Sequence, residues 1–483
     1  MSSLVARHRD SNVVVPPEIT QEIKELTQMV TLSTTLSHEN FDSTCSSFRL
    51  LNIHQDTSAD NNNKVVEFPF FSGLPLEIHL RILQCLPLSD LVRCMRINSI
   101  WRIMIVKNSD LWRNIELTEP KILPNALQHY FQLANRRLHR VCLKEYTCAW
   151  TLQCLTKECD TLHTLDLSGS QFVLSQTFAK YFCHLRLHSL ILTRSRVDIA
   201  TAMAIACLCP TLKYLNLAHC FFSGELQNSD RLEPDFQQGH LLCVEHMDMG
   251  TCRLDTIDIS GVHRMSIHSF IWILCRCPTL QNLRAYGFAV TLSAFLRACF
   301  IYCPELLVVK YSPARETAVI THPTINPRSI LIRGRDLYSM NTSKLTSLVL
   351  HGTVINKPLM EFVIDQCYQT IELLQLSKNW MLQNDTLYYL AKRKPPRLSS
   401  LILSSCANFQ ADALIALVRA CPRIQSLRLS RAAAAVTDVS LYAILGALPH
   451  LKYLNIAHCP RLSMESLEYL QGFARVKRIH IVI

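Results

Sequence analysis

A six-residue pattern, L-x-x-L-x-L, recurs along most of the chain, with Ile or Val replacing some of the leucines. Its occurrences begin at Leu138, Leu162, Leu187, Leu212, Leu254, Leu280, Leu306, Leu345, Ile371, Leu398, Ile424, Leu451 and Val476. Most neighbours are about 24 to 27 residues apart, the period of a repeat with one strand and one helix. Because so short a strand and helix cannot bury their apolar sides alone, the pattern predicts a stack of repeats with one shared core.

The segments between the predicted strands have helical character and commonly end at proline, as in A-L-I-A-L-V-R-A-C-P before Ile424. The pair C-P recurs before the next repeat, and a cysteine follows the strand at Cys220 and Cys459. These features resemble the cysteine-containing leucine-rich repeat. The resemblance implies a curved parallel sheet with outer helices, in which the thiols have a structural role rather than a metal or redox role.

Two insertions interrupt the repeat, near residues 221–253 and 311–344. Long insertions in a solenoid are usually functional or disordered. In the first, V-E-H-M-D-M-G-T-C from Val244 also fits the strand pattern, but it begins only ten residues before Leu254. Both cannot begin full repeats, and the spacing to Leu280 favours Leu254.

The stretch from Phe71 to Trp112 has a different pattern and predicts three short helices. The first begins near Pro75, has Leu76, Leu80 and Leu83 on one face, and ends at Pro87. Ser89 or Asp90 is the expected cap of the second. More than half of the stretch is apolar, and about 40 residues cannot bury that much surface by themselves. Part of this apolar surface must contact something else.

The motifs of this stretch follow the order L-P-x-E-(I/L), I-L-x-x-L-P-L-x-D-L, C-x-x-I-N-x-x-W-R and D-L-W. This order resembles the F-box, which in its family docks on the S-phase-kinase-associated adaptor of SCF ubiquitin ligases. The resemblance implies adaptor contacts from Phe71, Leu74, Pro75, Ile78, Leu88, Leu91 and Trp101. The alternative is a plain helical cap on the repeats.

Composition narrows the functional classes. The 21 cysteines are spread through a long chain that lacks the apolar core of a secretory signal, which predicts reduced thiols and a cytoplasmic or nuclear protein. No C-x-x-C is present, so a RING-type zinc module is not expected. The net charge of +11 favours acidic partners, including phosphorylated peptides. A nucleic-acid partner is not favoured, because the basic residues are scattered and no nucleic-acid motif accompanies them.

No nucleotide, zinc-protease or nucleophile-elbow motif occurs, and most cysteines fall at repeat positions that predict burial, where a thiol is inert. We therefore expect no catalytic residue, cofactor or metal. Function then depends on surface, and alternate strand positions should line the open side of the sheet. Aromatic and arginine side chains are the usual anchors of interfaces. The predicted substrate contacts are Tyr214, Arg284, Tyr286, Arg428 and Tyr453.

The sequence as a whole predicts an α/β protein: a mostly disordered region at 1–67, a three-helix F-box at 68–117, and a leucine-rich-repeat solenoid of about 12 to 13 repeats at 118–483. This order resembles the F-box/leucine-rich-repeat family, whose members are non-catalytic substrate receptors of SCF ligases. The resemblance implies binding to the adaptor, through it to a cullin and a RING subunit, and to a protein substrate that is acidic or phosphorylated. The alternative is a repeat scaffold that acts outside any ligase.

Overall fold

The computed structural model describes residues 75–97, 99–117, 124–134, 137–144, 153–155, 161–170, 185–197, 199–220, 251–262, 265–314 and 343–483, together with isolated positions between them. The chain divides into two compact units, Met1–Glu116 and Leu117–Ile483. Residues 1–74, and most of the two predicted insertions, lie outside the described part.

Three helices make up most of the described part of the first unit: α1 Leu76–Gln84, α2 Leu88–Cys94 and α3 Ser99–Lys107. A 3-10 turn, Ser109–Trp112, follows them. Trp112 is fully buried, and its indole Nε1 donates a 2.9 Å hydrogen bond to the carbonyl of Ile105, which joins this turn to α3.

One detail of the helical prediction is wrong. Helix α2 is preceded by Pro87 in an extended conformation, so Ser89 and Asp90 lie inside its first turn rather than at the cap. Proline can begin this helix because the first helical N–H groups have no intrahelical partner. Leu76, on the predicted apolar face of α1, is 54% exposed.

The repeats form the predicted parallel sheet. In the described part of the chain it has 14 strands in sequence order. They are β1 Asn114–Leu117, β2 Arg140–Leu143, β3 Thr164–Asp166, β4 Ser189–Ile191, β5 Tyr214–Asn216, β6 Thr256–Asp258, β7 Asn282–Phe288, β8 Val308–Pro313, β9 Ser347–Leu350, β10 Leu373–Gln375, β11 Ser400–Ile402, β12 Ser426–Arg428, β13 Tyr453–Asn455 and β14 His480–Val482. The pairing from β2 to β14 is parallel throughout.

Helices alternate with the strands. They are α4 Pro124–Ala134, α5 Ile199–Leu208, α6 Ile267–Arg276, α7 Leu292–Tyr302, α8 Lys357–Cys367, α9 Asn384–Arg393, α10 Ala411–Ala420, α11 Asp438–Ala447 and α12 Met464–Lys477. The predicted fold class, helices followed by a leucine-rich-repeat solenoid, is confirmed.

The described cysteines are free thiols, and most are buried, as predicted. Several have a further role that the pattern did not indicate. The thiols of Cys220 and Cys406 donate to the carbonyls of Leu192 and Leu376 one repeat earlier, at 2.8 and 2.9 Å. Ser195 takes the same place in its repeat, and its hydroxyl donates to Leu167 at 2.8 Å. A buried donor at this position therefore links successive repeats.

The repeat boundaries correct one prediction and decide one that the sequence left open. Strand β6 follows Leu254 and pairs with both β5 and β7, so a repeat begins at Leu254, while Val244 lies outside the described residues. The last repeat is out of register by two residues, because Tyr453 pairs with His480 rather than with Arg478. Val476, predicted to begin that strand pattern, is in α12 and is 81% exposed.

Candidate functional site

One face of the repeat sheet is packed and the other is open. Along β10 to β13, the central leucines Leu374, Leu401, Leu427 and Leu454 are buried, whereas the residues on either side of each are half-buried or exposed. Side chains alternate between the two faces of a strand, so the leucines join the helices in the core. The alternate positions line what we call the open face.

The five predicted substrate contacts all lie on the open face. Tyr214 is half-buried on β5, and its hydroxyl oxygen accepts a 3.2 Å hydrogen bond from the Asn216 amide. Arg284 and Tyr286 are exposed on β7, two strands away in the order of the sheet. Burial raises the pKa of Tyr286, so this phenol stays protonated at neutral pH.

Arg428 and Tyr453 contact each other at the far end of the sheet. The guanidinium carbon of Arg428 lies 4.9 Å from the centre of the Tyr453 ring, a cation–π geometry. The other neighbour of the same ring is His480, whose ring is nearly parallel at 5.3 Å. The structure thus brings Arg428 and Tyr453 together and adds His480, while Tyr214, Arg284 and Tyr286 lie on other strands.

A second set of residues, in the turns directly after the strands, was missed by the sequence analysis. Directly after several strands one residue adopts a left-handed conformation with φ near +58°, and its N–H donates to the next repeat. Glycine takes this conformation without strain, as at Gly169, Gly261 and Gly352. The chain instead places basic residues at Arg194, His219, Lys378, Arg431 and His458. Their signal in the sequence is a basic residue two positions after the last leucine or isoleucine of the pattern.

The predicted adaptor contacts divide into three groups. Phe71 and Leu74 lie outside the described residues. Leu88, Leu91 and Trp101 are buried, whereas Pro75 is exposed and Ile78 is half-buried.

The helical unit also exposes apolar side chains that the sequence analysis did not single out as contacts. Leu76 on α1 is 54% exposed, and Ile103 and Val106 on α3 are 52% and 37% exposed. They are surface groups that a partner can cover without unfolding the helices.

The described part of the chain contains buried thiols but no cluster of metal-ligating side chains. No group of three or more His, Cys, Asp or Glu side chains there is placed to hold a metal ion. Burial raises the pKa of the Cys220 thiol to about 12 and of the Cys406 thiol to about 11. Thiols of this kind are protonated and poorly nucleophilic at neutral pH. No helix in the described ranges has the length and apolar character that crossing a membrane requires.

Comparison with known proteins identifies the first unit by sequence. Residues 71–118 match the F-box-like family. No curated protein matches the chain in sequence.

Solved structures resemble the chain in fold. One is yeast Rad7 in its complex with Elc1, with 14% identity over 75% of this chain and 81% of that chain, at a TM-score of 0.39. Another is the internalin InlF of Listeria monocytogenes, with 12% identity over 76% of this chain and 94% of that chain, at a TM-score of 0.41. A third is TLR13 in its complex with ssRNA13, with 15% identity over 72% of this chain and 41% of that chain, at a TM-score of 0.40.

Parallel strands in sequence order, with one helix between most neighbours, define a leucine-rich-repeat protein. The F-box-like match at residues 71–118 identifies it further: the chain combines an F-box-like region with leucine-rich repeats. An F-box-like domain supports binding to an adaptor subunit, and the open face of the repeats supports binding to a protein partner.

Proposed function

We propose that this protein is the substrate-recognition subunit of an SCF-type cullin-RING ubiquitin ligase. The observation that carries the proposal is the F-box-like domain at residues 71–118 ahead of a repeat sheet with an open face. The first would bind the adaptor, and the second would hold the substrate. The chain would then act by proximity, raising the effective concentration of substrate lysines near a ubiquitin-charged enzyme without performing chemistry itself.

The structure indicates which substitutions test adaptor binding cleanly. Leu91→Arg would place a charge at a side chain that is only 3% exposed, so it would unfold the helices and lose binding for a trivial reason. Leu76→Asp and Ile103→Asp change side chains that are more than half exposed, so the helices should remain folded. Val439→Asp, 69% exposed on α11 of the repeats, is the matched control.

The experiment is affinity purification of the tagged full-length chain from cells, followed by detection of adaptor and cullin. We expect the unchanged chain and Val439→Asp to recover both, and the combined Leu76→Asp and Ile103→Asp chain to recover neither. Circular dichroism of the purified variants checks that the fold is intact. Recovery of adaptor without cullin would favour a scaffold outside the ligase. A folded chain that does not bind adaptor at micromolar concentration would refute the proposal.

The same pair of chains identifies the substrate. Proteins whose abundance rises when the Leu76→Asp and Ile103→Asp chain replaces the unchanged one, measured by quantitative mass spectrometry, are the candidates. A true substrate should also co-purify with the variant, because the open face of the repeats is unaltered.

A further inference from the structure

We propose that the open face of strands β7 to β14 binds an extended, acidic segment of a protein substrate, one rich in Asp and Glu. This inference rests on the proposed receptor function and specifies the chemistry of what the repeats hold. It is carried by the distribution of charge across the face, by the conformation of the residues that bear the charge, and by the way the turns are capped.

The open-face positions in the described strands of this half carry no carboxylate. The open-face positions in the described strands β7 to β14 and the residues directly after them are Asn282, Arg284, Tyr286, Val308, Lys310, Ser312, Ser347, Val349, His351, Leu373, Gln375, Ser377, Ser400, Ile402, Ser404, Ser426, Arg428, Ser430, Tyr453, Asn455, Ala457, His480 and Val482. The acidic residues nearest in sequence, Glu305 and Glu372, come before their strands and so lie at the opposite edge of a parallel sheet. Glu305 is also paired with Lys344.

Five basic side chains lie on or beside this half of the face: Arg284, Lys310 and Arg428 at open-face positions, and Lys378 and Arg431 in the turns directly after β10 and β12. None of the five forms an ion pair with a carboxylate in the part of the chain that the structure describes. Burial and the charge of Lys378 together lower the pKa of His351, which shows that this lysine acts on the neighbouring open-face position. The positive charge is therefore available to a ligand.

The backbone adds an independent reason. Lys378, Arg431 and His458 occupy the left-handed position that glycine takes at Gly261 and Gly352. Side chains in this conformation cost conformational energy, and such costs are commonly retained where the side chain has a function. Ser405 takes the same conformation after β11 without a charge, so three of the four residues at this position after β10 to β13 are basic, a bias that favours an anionic ligand.

The turns after the strands show how acidic groups are used elsewhere in the sheet. Asp166 and Asp258 in the N-terminal half are buried, and each accepts a 3.0 Å hydrogen bond from a backbone N–H two residues later. Asn455 caps its turn in the same way, accepting from the N–H of Ala457 at 3.0 Å, but without a charge. Asn216 on β5 caps its turn in the same way at 2.9 Å, so neutral caps occur in both halves, and at β13 the cap adds no negative charge.

The spread of charge favours a carboxylate-rich segment over a single phosphate group. Strands of a sheet lie roughly 4.8 Å apart, so the distance from β7 to β14 is on the order of 34 Å, which about ten extended residues would cover. Nucleic acid is less suited, because single strands bind by stacking bases on aromatic rings, and the Tyr453 ring already has Arg428 and His480 against it.

The test uses the purified full-length chain bound to its adaptor. The probe is a fluorescein-labelled library of 12-residue peptides with four fixed Glu positions and the rest random. Parallel probes are the same library with Gln, a phosphoserine library of equal charge, and a 12-nucleotide single-stranded RNA. Fluorescence polarisation at low and high salt measures affinity. We expect the Glu library to bind more tightly than the Gln library and to weaken as salt rises.

The combined Arg428→Gln and Arg431→Gln chain should weaken binding of the Glu library by about tenfold. Arg419→Gln with Arg475→Gln, which removes the same charge from exposed positions on α10 and α12, should have no effect. Equal binding of the Glu and Gln libraries, or equal effects of the two variants, would overturn the inference. So would tighter binding of the phosphoserine library or of RNA. Adaptor and cullin recovery by the Arg428→Gln, Arg431→Gln chain keeps a failure here distinct from a failure of the ligase proposal.

Discussion

The repeats in the middle of the chain and those near its C-terminal end solve the same packing problem differently. Around α6, β7, α7 and β8, the core contains four aromatic rings, from Phe270, Phe288, Phe295 and Tyr311. Phe295 is central, with ring centres 5.1 Å from Phe270 and 4.7 Å from Tyr311. The repeats from β10 to β13 have cores made mainly of Leu, Ile, Ala and Cys.

The difference can be located at one helical position. Counting back eight residues from the C-cap residues Cys303 and Cys421 gives Phe295 in α7 and Ala413 in α10. Both are fully buried. The same count from the C-cap residues of α9 and α11 gives Thr386 and Ser440, which, like Ala413, are small. A large ring at this position needs space. The neighbouring strands β7 and β8 are longer than the other strands, and their pairing shifts register between Ala285 and Phe288.

The regular repeats have additional polar links on their outer surface. Asp365 on α8 contacts both Arg393 and Tyr389 on α9, at 2.6 and 2.8 Å. Tyr388 on α9 reaches Asp412 on α10 at 2.6 Å. The comparison shows that a leucine-rich repeat tolerates a local exchange of core type, provided that strand length adjusts.

The largest expected effect is at Phe295. Phe295→Ala should lower the free energy of unfolding by about 3–5 kcal/mol, because it empties the centre of the ring cluster. Denaturant titration followed by circular dichroism measures the change. The converse substitution, Ala413→Phe, should also destabilise, by about 1–3 kcal/mol, since the regular repeat has no space for a ring. A stable Ala413→Phe chain would show that the two cores are interchangeable.

A smaller effect is expected at Tyr311. Its buried hydroxyl donates a 2.7 Å hydrogen bond to the carbonyl of Val290, and Tyr311→Phe leaves that carbonyl unpaired at a cost of about 1–2 kcal/mol.

Tyr311 also predicts a pH dependence. Burial raises its pKa well above the usual value, so its contribution to stability is complete below about pH 10, the pKa of an unfolded tyrosine, and is lost as pH rises further. Between pH 9 and 11, the free energy of unfolding should therefore fall less steeply with pH for Tyr311→Phe than for the unchanged chain, as measured by denaturant titration at each pH. Parallel curves would mean that this phenol does not contribute to the loss. The cysteines with raised pKa contribute equally to both chains.

The smallest effect is expected at the outer links of the regular repeats. Asp365→Asn should cost only about 0.2–1 kcal/mol, because the Asp365 and Arg393 side chains are both about 40% exposed and such pairs are screened by solvent. The difference should shrink further at 1 M salt. A loss as large as that of Phe295→Ala would mean that the regular repeats depend on these links rather than on their core.

The leucine pattern predicted the open face correctly because a period of two puts alternate residues on opposite sides of any strand. It predicted the last repeat wrongly because V-K-R-I-H-I matches the pattern by itself, whereas the register of the structure places Arg478, which is not aliphatic, at the first position. Helix α12 continues through Lys477, and the left-handed cap at Arg478 moves the strand to His480. The sequence likewise could not show whether Leu88, Leu91 and Trp101 are buried in the helical unit or contact the adaptor, because an apolar residue suits a core and an interface equally well.

Periodicity and motif order by themselves determined that this chain has a helical F-box followed by a sheet of stacked repeats, because both are local properties that spacing along the chain can express. Tertiary structure decided which apolar groups of the helical unit remain exposed, which strand the Tyr453 ring faces, and which basic residues stand in left-handed turns. These depend on groups from different repeats meeting across 24 residues or more, and sequence spacing does not specify side-chain direction at that range.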